Sequence, residues 1–475
     1  MARNRQYFFL FVAIVGFLLV RLWLLPQRVL DPDELEHAHA AWCVSRGLRL
    51  YQDFFEHHTP WYYYLLRPFF RWFAVDQSFD SAVHFLFFGR ALSLALTVPS
   101  LVLVWWIGRL WRDGRTGLLA ALLLVGQAFF MQKTMEMRPD VLALPFYLLA
   151  LGCLLRGAQS QLRERWFAGA GLALGGAVMC TQKMLFVFPG LGVGLGLWWL
   201  GADGRRSNLK AIAGFVLTVP IPGLLTLAGF ARQGAARAFI NNNFLLNARW
   251  KSMPTDNIYR LVVSSAPILV LALIGVLRAA GRGWRHGRRD PGDLLLGCTL
   301  IGLFAGLLAI PVAQRQYYLM PLPLACLFSA DALLAGLDRA AERARPALLA
   351  LLLVPLSIMP VRSLIEAHRL NNQAQLAGLR QVFETTKPTD QVMDGWQGLG
   401  VFRPHPFYYS FFHDELRQML PRDELDGMMS DLETGRVRPR LIALDRNLRS
   451  MGPRFLAVVQ QRYTSRDGFF YYARD

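Results

Sequence analysis

YFFLFVAIVGFLLVRLWLLPQRVLDPDELEHAH, residues 7–39, places an apolar helix directly before an acidic loop. The apolar run extends from about Tyr7 to Leu25, and the acidic stretch begins at Asp31. A run of about 20 apolar residues is long enough to cross the hydrocarbon core of a bilayer. A secretory signal peptide would have a shorter apolar core and a cleavage site of small residues. We therefore expect this run to stay in the protein as a membrane helix.

Apolar runs of this kind recur along the chain of 475 residues. Hydrophobic residues make up 54% of the sequence and charged residues only 18%, whereas an average soluble domain has about 25% charged residues. The sequence predicts an all-α polytopic membrane protein with about eleven transmembrane helices, surrounded by membrane lipids. Beyond the first span, these helices are expected near residues 83–108, 117–131, 139–155, 166–180, 184–200, 211–230, 259–277, 294–311, 317–336 and 347–361.

Basic residues concentrate in alternate connections between the expected helices. Lysine and arginine total 51 against 33 acids, which gives a net charge of +18. Short loops rich in lysine and arginine face the cytoplasm. This rule places the N-terminus there and explains the basic excess without a nucleic-acid partner. The five cysteines, an odd number without a metal-type CxxC, indicate neither a disulfide framework nor a metal centre.

Three larger pieces of the chain share the opposite face. They are an outer loop at residues 26–82, a second connection at 231–257, and a tail in which the hydropathy drops. We expect a membrane domain at 1–361 and an extracytoplasmic α/β domain at 362–475. In that domain we expect a helix within 362–386 and strands at 391–394, 441–445 and 468–473.

The outer loop concentrates acids and histidines close to the membrane. Asp33 and Glu34 begin a predicted helix over residues 34–46, which would lie on the bilayer surface. Capping of that helix is one interpretation of Asp33, and a catalytic carboxylate is the other. Further along the loop, an acid precedes paired histidines in Glu56-His57-His58. Metal binding and simple polar packing both remain open for this group.

Several motifs resemble, in order, landmarks of the GT-C fold glycosyltransferases. Asp33-Glu34 followed by His58-Thr-Pro-Trp61 is similar to the first outer loop of one branch of these enzymes. That branch contains the protein O-mannosyltransferases, the aminoarabinose transferase of lipid A and transferases that add galacturonic acid to lipopolysaccharide. Further similar landmarks within residues 1–340 are Phe88-Gly-Arg90, Arg138-Pro-Asp140, Thr181-Gln-Lys183 and Arg315-Gln-Tyr317-Tyr318.

The resemblance implies transfer of a sugar from a polyprenyl-phosphate donor to a lipid, glycan or protein acceptor. The reaction would take place at the outer face of a bacterial inner membrane, by single displacement with inversion. Asp33 would be the base that activates the acceptor, with Glu34 in support, and Asp140 and His57 would be acceptor or loop-site residues. A divalent metal ion, if used, would be held by His58, Glu34 and Glu56.

The leaving group of such a donor is a phosphate monoester, whose charge approaches −2 near neutral pH. Its departure requires fixed positive charge or hydrogen-bond donors. The candidate phosphate-binding residues are Arg138, Lys183, Arg315, Tyr317, Lys133 and Arg90. For the cations at the membrane boundary, snorkelling of the side chain to water is the alternative interpretation. One departure from the resemblance bears on this set, because His58-Thr-Pro60 replaces the Glu-Lys-Pro of the lipid A enzyme and lacks its lysine.

Three other functions fit parts of this pattern. A transporter or flippase for lipid-linked sugars would use a similar basic lining, but more often with charges at mid-membrane. A non-catalytic subunit of a cell-envelope complex would use the tail for docking. An oligosaccharide ligase or oligosaccharyltransferase would use a diphosphate-linked donor. The assembly subunit predicts no loss of function on replacing Asp33 with Asn, and the transporter would not need a long acidic outer loop with an Asp-Glu pair near the membrane.

The count of crossings makes a prediction about orientation. Eleven helices that start from the cytoplasm end on the other side, so the tail shares its side with the outer loop. A reporter active only in the cytoplasm, fused after Asp475, should give no signal, whereas the same reporter fused within residues 205–210 should be active. A bright signal from the C-terminal fusion would contradict the predicted topology.

Overall fold

The computed structural model describes residues 2–201, 205–249, 257–286, 290–310, 314–345 and 369–474, together with residues 347, 358, 361, 362 and 364–366. Within these residues, eight helices are long and apolar enough to cross a membrane. Their apolar stretches are Tyr7–Leu24, Phe79–Trp111, Pro139–Ala158, Gln182–Gly201, Arg205–Arg232, Tyr259–Arg282, Pro291–Ala309 and Pro321–Arg339. The prediction of an all-α membrane protein is therefore confirmed.

Two further predicted spans are also helical. The span expected near 117–131 is a helix, Gly114–Val125, followed by a short one, Ala128–Lys133. The span expected near 166–180 is the helix Arg163–Cys180, which begins with three charged residues. The last predicted span, 347–361, lies almost entirely outside the described residues. The count of eleven therefore stays a prediction.

The element bounds of the membrane part follow from apolar runs interrupted by proline, glycine and charge. Its α-helices are Ala2–Leu24, Pro32–Ser45, Trp61–Leu66, Phe79–Trp111, Gly114–Val125, Ala128–Lys133, Pro139–Ala158, Arg163–Cys180, Val187–Gly201, Arg205–Thr218, Pro220–Arg232, Ala236–Ile240, Asn257–His286, Pro291–Ala309 and Pro321–Arg339. Short 3₁₀ or π turns lie at Arg67–Arg71, Gln182–Phe186, Asn241–Leu245, Asn247–Arg249, Arg315–Leu319 and Glu342–Ala344.

The tail folds as the expected small α/β unit. Its sheet has the strand order β1-β2-β4-β3, with β1 (Val392–Asp394), β2 (Leu441–Ala443), β3 (Tyr463–Ser465) and β4 (Phe470–Ala473). β1 and β2 are parallel, and β4 pairs antiparallel with β2 and β3. Three of these strands lie within the predicted ranges; β3 was not predicted. The helices of the tail are Gln373–Thr385, Asp414–Met419, Arg422–Thr434, Arg446–Arg449 and Pro453–Arg462.

The helix Pro32–Ser45, called the loop helix below, is covered by protein rather than lying on the bilayer surface. All its residues from Glu34 to Val44 are buried. Gly398 of the tail adopts a positive φ of 70° and approaches so closely that an added Cβ would come within 2.4 Å of the Leu35 Cβ atom. A His39 ring nitrogen lies 2.9 Å from the Val401 carbonyl oxygen. The expectation of a helix on the bilayer surface was therefore wrong, because the tail packs against the loop helix and covers it.

Asp31, not Asp33, caps the loop helix. The Asp31 carboxylate accepts from the Asp33 backbone N–H at 3.1 Å, and the Glu34 carboxylate accepts from the Asp31 backbone N–H at 2.9 Å. This reciprocal arrangement is a capping box. The capping interpretation of Asp33 is therefore wrong, and the Asp33 carboxylate is left for other contacts.

Arg90 fastens the outer loop to the membrane helix Phe79–Trp111. It donates to both Glu34 carboxylate oxygens at 2.6 and 2.8 Å. It also donates to the backbone carbonyls of Leu25, Arg28 and Val29 at 2.7–2.9 Å. These five bonds use the five N–H donors of a guanidinium. Arg90 and Glu34 thus set the position of the chain between the first helix and the loop helix.

The tail is joined to the same segment through side-chain amides. The Gln375 carboxamide accepts from the Leu30 N–H at 2.7 Å and donates to the Leu30 carbonyl at 2.8 Å. The Asn372 side chain donates to the Pro26 carbonyl at 2.9 Å. Arg403 donates to the Asp76 carbonyl at 2.9 Å, near the other end of the outer loop. The tail therefore holds the acidic stretch from a second side.

The Arg90 contacts make a prediction about stability. Replacing Arg90 with Ala leaves the Glu34 carboxylate buried without its partner, which costs about 3–5 kcal/mol when a buried pair is broken. The thermal unfolding temperature of the purified protein should fall markedly. The exposed Arg71 of the same loop is the matched control, since its replacement by Ala should change stability by less than about 0.5 kcal/mol. Equal unfolding temperatures for the two variants would contradict this role.

Candidate active site

A cavity of about 980 Å³ lies between the outer loop, the loop-side ends of the membrane helices and the tail. It is large enough for a sugar phosphate together with part of an acceptor. Its charged and aromatic lining from the loop and membrane helices comprises Asp31, Asp33, Glu36, His57, His58, Lys133, Arg138, Lys183, Phe186, Phe244, Arg315 and Tyr317. The tail adds Trp396, His413, Asp414, Glu415 and Asn447.

Arg138 is the centre of a dense ion network on the loop side of the cavity. It precedes the helix Pro139–Ala158, and its guanidinium pairs with Asp31 at 2.9 Å, with Asp33 at 2.8 Å and with Glu136. Lys133 pairs with Asp31 and Glu136, each at 2.8 Å. Together with Arg28, which pairs with Glu136 at 3.2 Å, these two cations balance the charge of three carboxylates. In the folded chain, Arg138 and Lys133 hold these acids together.

Like Asp31, Asp33 combines ionic contact in this network with access to the cavity. Its side chain is 26% exposed, and its Oδ2 atom lies 2.8 Å from Arg138. Burial raises the pKa of Asp33 above its ordinary value, and the charge of Arg138 opposes that rise. For Asp31, burial also acts to raise the pKa, but Arg138 and Lys133 outweigh it and hold the pKa below its usual range. Asp33 is thus the more basic of the two carboxylates.

Lys183 and Arg315 add positive charge to the cavity lining. The Lys183 ammonium pairs with Asp140 at 3.1 Å and lies 4.9 Å from the centre of the Tyr317 ring. The Arg315 guanidinium lies 6.0 Å from the centre of the Phe129 ring. Within the part of the chain that the structure describes, Arg315 has no carboxylate partner. It is therefore the lining cation best able to accept an anion from outside.

Four side chains form a cluster with the chemistry of a metal site. Ligand atoms of Glu36, Glu56, His57 and His58 all lie within 4.8 Å of one another. A His58 ring nitrogen is 2.8 Å from the Glu56 carboxylate. The buried Oε1 atom of Glu36 has no hydrogen-bond partner among the described residues. Two imidazoles and two carboxylates are a donor set that zinc and similar divalent ions accept.

The environment of this cluster keeps its histidines neutral. Burial and the neighbouring Lys183 lower the pKa of His58 to about 3, and burial together with His58 lowers that of His57. Burial and the Glu56 charge raise the pKa of Glu36 well above its usual value. Neutral imidazole is the form that binds metal ions. The cluster therefore fits a divalent cation, which would also relieve the proximity of its two carboxylates.

The structure brings most of the predicted site residues to one cavity. Asp33, His57, His58, Lys133, Arg138, Lys183, Arg315 and Tyr317 all line it. Glu56 is absent from this lining but belongs to the histidine cluster. Asp140 stands behind Lys183 as its ion-pair partner.

Two predicted site residues have structural contacts instead. Arg90 lies outside the cavity, and its N–H donors are used by Glu34 and by backbone carbonyls. Glu34 is fully buried against Arg90 and is not part of the histidine cluster. The expectations of phosphate binding by Arg90 and of metal binding by Glu34 therefore find no support in the geometry. Glu36, on another face of the loop helix, takes the place expected for Glu34.

Residues of the tail were missed altogether by the sequence analysis. Trp396 and His413 reach the cavity from the loops that follow β1 and precede the helix Asp414–Met419, and Glu415 reaches it from the first turn of that helix. No motif marks them, because their position depends on how the tail packs on the loop helix. Glu36 had a signal that could have found it, since it lies three positions after Asp33 and so on the same side of a helix.

The comparisons with known proteins agree on one architecture. The family model for dolichyl-phosphate-mannose-protein mannosyltransferase matches residues 57–225. Among curated proteins, none matches the chain by sequence. The structure of ArnT from Cupriavidus metallidurans in the apo state is similar with a TM-score of 0.67 and 13% identity, covering 100% of this chain and 98% of that chain.

Two similar structures carry lipid phosphates. ArnT from Cupriavidus metallidurans bound to undecaprenyl phosphate gives a TM-score of 0.65 at 13% identity and covers 98% of this chain and 97% of that chain. The oligosaccharyltransferase AglB from Archaeoglobus fulgidus, in complex with an inhibitory peptide and a dolichol-phosphate, gives 0.62 at 12% identity and covers 98% of this chain and 74% of that chain. The chain therefore has the GT-C fold of membrane glycosyltransferases.

Proposed function

We propose that the protein is a membrane glycosyltransferase that moves a sugar from a polyprenyl-phosphate donor to an acceptor hydroxyl. The observation that carries this proposal is the composition of the cavity, which brings Asp33, Lys183 and Arg315 together in one lining at the loop-side end of the membrane helices. The similar ArnT structure binds undecaprenyl phosphate, a lipid with the chemistry that this cavity fits. We place the protein in the bacterial inner membrane, with the N-terminus cytoplasmic and the tail periplasmic.

In this proposal Arg315 and Lys183, two cations of the cavity lining, bind the donor phosphate. The leaving phosphate carries close to two negative charges, and charge-assisted hydrogen bonds are about twice as strong as neutral ones. Arg315 offers a guanidinium with no competing carboxylate among the described residues, and Lys183 adds an ammonium whose charge is shared with Asp140. The ring of Tyr317 packs against the Lys183 ammonium. Arg138 and Lys133 are occupied by Asp31, Asp33 and Glu136, and they hold these acids in place at the cavity.

Transfer is a single displacement. The Asp33 carboxylate accepts the proton of the acceptor hydroxyl as the hydroxyl oxygen forms a bond to the anomeric carbon. The bond from that carbon to the phosphate oxygen breaks, and its electron pair leaves with the phosphate. Attack from the face opposite the leaving group inverts the anomeric centre. Arg315 and Lys183 stabilise the charge that develops on the phosphate.

Glu36, Glu56, His57 and His58 are the residues that we propose to hold a divalent metal ion. When bound, such an ion supplies positive charge beside Asp33 that lowers the pKa of a nearby hydroxyl. Glu36 replaces Glu34 in this assignment, because Glu34 is occupied by Arg90. Asp33 lies one turn before Glu36 on the loop helix, so the base and this cluster share one side of the cavity.

The base is tested by replacing Asp33 with Asn. This change keeps the shape of the side chain but removes its capacity to take a proton, so turnover should fall by roughly a hundred- to ten-thousand-fold. The measurement is transfer from a panel of radiolabelled polyprenyl-phosphate sugars to endogenous acceptors in membranes. Asp80→Asn, at an exposed acid of the same loop, is the control and should keep full activity. Near-full turnover in Asp33→Asn would show that another residue is the base.

The donor site is tested by replacing Arg315 with Ala. Loss of a hydrogen bond to a charged group costs about 1.5–3 kcal/mol, so the affinity for undecaprenyl phosphate should fall roughly ten- to 150-fold. Binding is measured by titrating the purified protein with this lipid. Arg232→Ala, at an exposed arginine that ends the helix Pro220–Arg232, is the matched control. Unchanged affinity in Arg315→Ala would exclude Arg315 as a phosphate ligand.

The metal site is tested by elemental analysis of purified protein. Wild-type protein should retain a divalent metal, and His58→Ala should lose most of it, because the neutral imidazole is the preferred nitrogen ligand. The exposed His84 provides the control variant His84→Ala, which should keep the wild-type content. The same metal content in all three proteins would remove His58 from the ligand set.

A further inference from the structure

One wall of the cavity is built by the tail and differs in chemistry from the rest. It consists of Trp396, His413, Asp414, Glu415 and Asn447. These residues come from three separate segments of the tail. Among the described lining residues, the lysines and arginines all belong to the membrane part, and none belongs to this tail wall. The tail wall therefore presents aromatic rings, carboxylates and an amide, without a lining cation.

The fold holds the tail wall in place through one carboxylate. Asp445 accepts from the Trp396 backbone N–H at 2.8 Å and from the Leu448 backbone N–H at 2.9 Å. This fixes the loop that carries Trp396 against the turn that carries Asn447. The Trp396 ring also packs edge-on against His413, with centroids 4.4 Å apart, and against Phe411 at 5.0 Å. The aromatic surface is thus preformed rather than assembled by a ligand.

The polar groups of the tail wall are suited to hydroxyl groups. Glu415 is 30% exposed on its side chain and lies 3.9 Å from a His413 nitrogen, too far for a hydrogen bond. The Asn447 side chain makes no hydrogen bond with the described residues and lines the cavity with Trp396. Carboxylate oxygens accept from hydroxyls, and a carboxamide both donates and accepts. A sugar ring matches this arrangement, since its apolar C–H face can lie on an indole while its hydroxyls meet the acids and the amide.

The tail wall faces the proposed base. Burial raises the pKa of Glu415, and the negative charge of Asp33 raises it further. The two carboxylates therefore lie close enough to interact. Arg315 and Lys183, the proposed donor contacts, belong to the membrane part. A phosphate held on the tail wall would meet the charges of Glu415 and Asp33, which repel it. An uncharged ring in the same place would bring a hydroxyl towards Asp33.

We propose that the tail wall is the acceptor subsite and that it binds a carbohydrate ring without a phosphate at the attacked position. This inference rests on the proposed transferase function and narrows its acceptor to a sugar hydroxyl. Trp396 provides the stacking surface, and Glu415 and Asn447 bind the ring hydroxyls. The tail is then a part of the active site rather than an accessory domain.

The subsite is tested by saturation-transfer NMR on the full-length protein in nanodiscs. The probes are methyl α-D-mannoside, methyl β-D-glucoside and methyl β-D-galactoside, with glucose 6-phosphate as the charged comparison. At least one methyl glycoside should receive saturation on its ring C–H protons. Trp396→Ala should weaken that binding about fivefold or more, because the stacking surface is lost. Trp72→Ala, at a tryptophan that is 73% exposed and outside the cavity, should leave it unchanged.

A second variant separates charge from packing. Glu415→Gln keeps the side-chain shape but removes the negative charge, so it should improve the binding of glucose 6-phosphate relative to the methyl glycosides. Unaltered discrimination in Glu415→Gln, saturation of no glycoside by the wild-type protein, or full glycoside binding by Trp396→Ala would each overturn the inference.

The affinity for undecaprenyl phosphate, measured on the same samples, distinguishes this failure from failure of the proposed function. Trp396→Ala and Glu415→Gln should both keep the wild-type affinity for the lipid, since neither residue belongs to the donor side. A wild-type protein that binds no undecaprenyl phosphate would overturn the transferase proposal itself. Displacement of the glycoside by saturating undecaprenyl phosphate would assign the tail wall to the donor and overturn its role as acceptor subsite.

Discussion

The buried guanidinium of Arg90 is the constraint on which the rest of the site depends. A charge that lies inside a membrane protein must be paired and fully hydrogen-bonded. Glu34 and the carbonyls of Leu25, Arg28 and Val29 meet that need together. Because the carbonyls belong to the connection after the first helix, satisfying Arg90 also fixes where the loop helix begins. Every acid that follows, from Asp31 to Glu36, takes its position from this contact.

Charge pairing also divides the work among the lining residues. Asp31 and Glu136 take up most of the positive charge of Lys133 and Arg138, and Asp140 shares that of Lys183. Such pairs hold the cavity in shape before any ligand arrives, which reduces the reorganisation needed for binding. Arg315 is outside these pairs in the described part of the chain. Specific recognition of an anion can therefore depend on one residue although several cations surround the cavity.

The length of the apolar runs was enough to predict the helices, because crossing a bilayer sets a minimum length for each one. The acidic loop was predictable as a site because carboxylates close to a membrane need cations or hydrogen-bond donors as partners. The sequence alone did not show which acid faces the cavity. Glu34 and Glu36 are two positions apart and so project from different sides of a helix, towards Arg90 and the histidine cluster respectively. The contribution of Trp396 and Glu415 depends on packing between distant segments, for which no local pattern exists.

The paired hydrogen bonds between Gln375 and Leu30 join positions 345 residues apart. At synthesis rates of about 5–20 residues per second, the ribosome needs roughly 20–70 s to travel from one to the other. Throughout that interval the nascent chain already has its acidic stretch. It lacks the Gln375 side chain that anchors this stretch, and it lacks the tail wall with Trp396. The candidate active site can therefore be completed only in the final quarter of translation, after the membrane helices have been inserted. A product of interrupted synthesis that lacks the tail would occupy the bilayer without a complete active site.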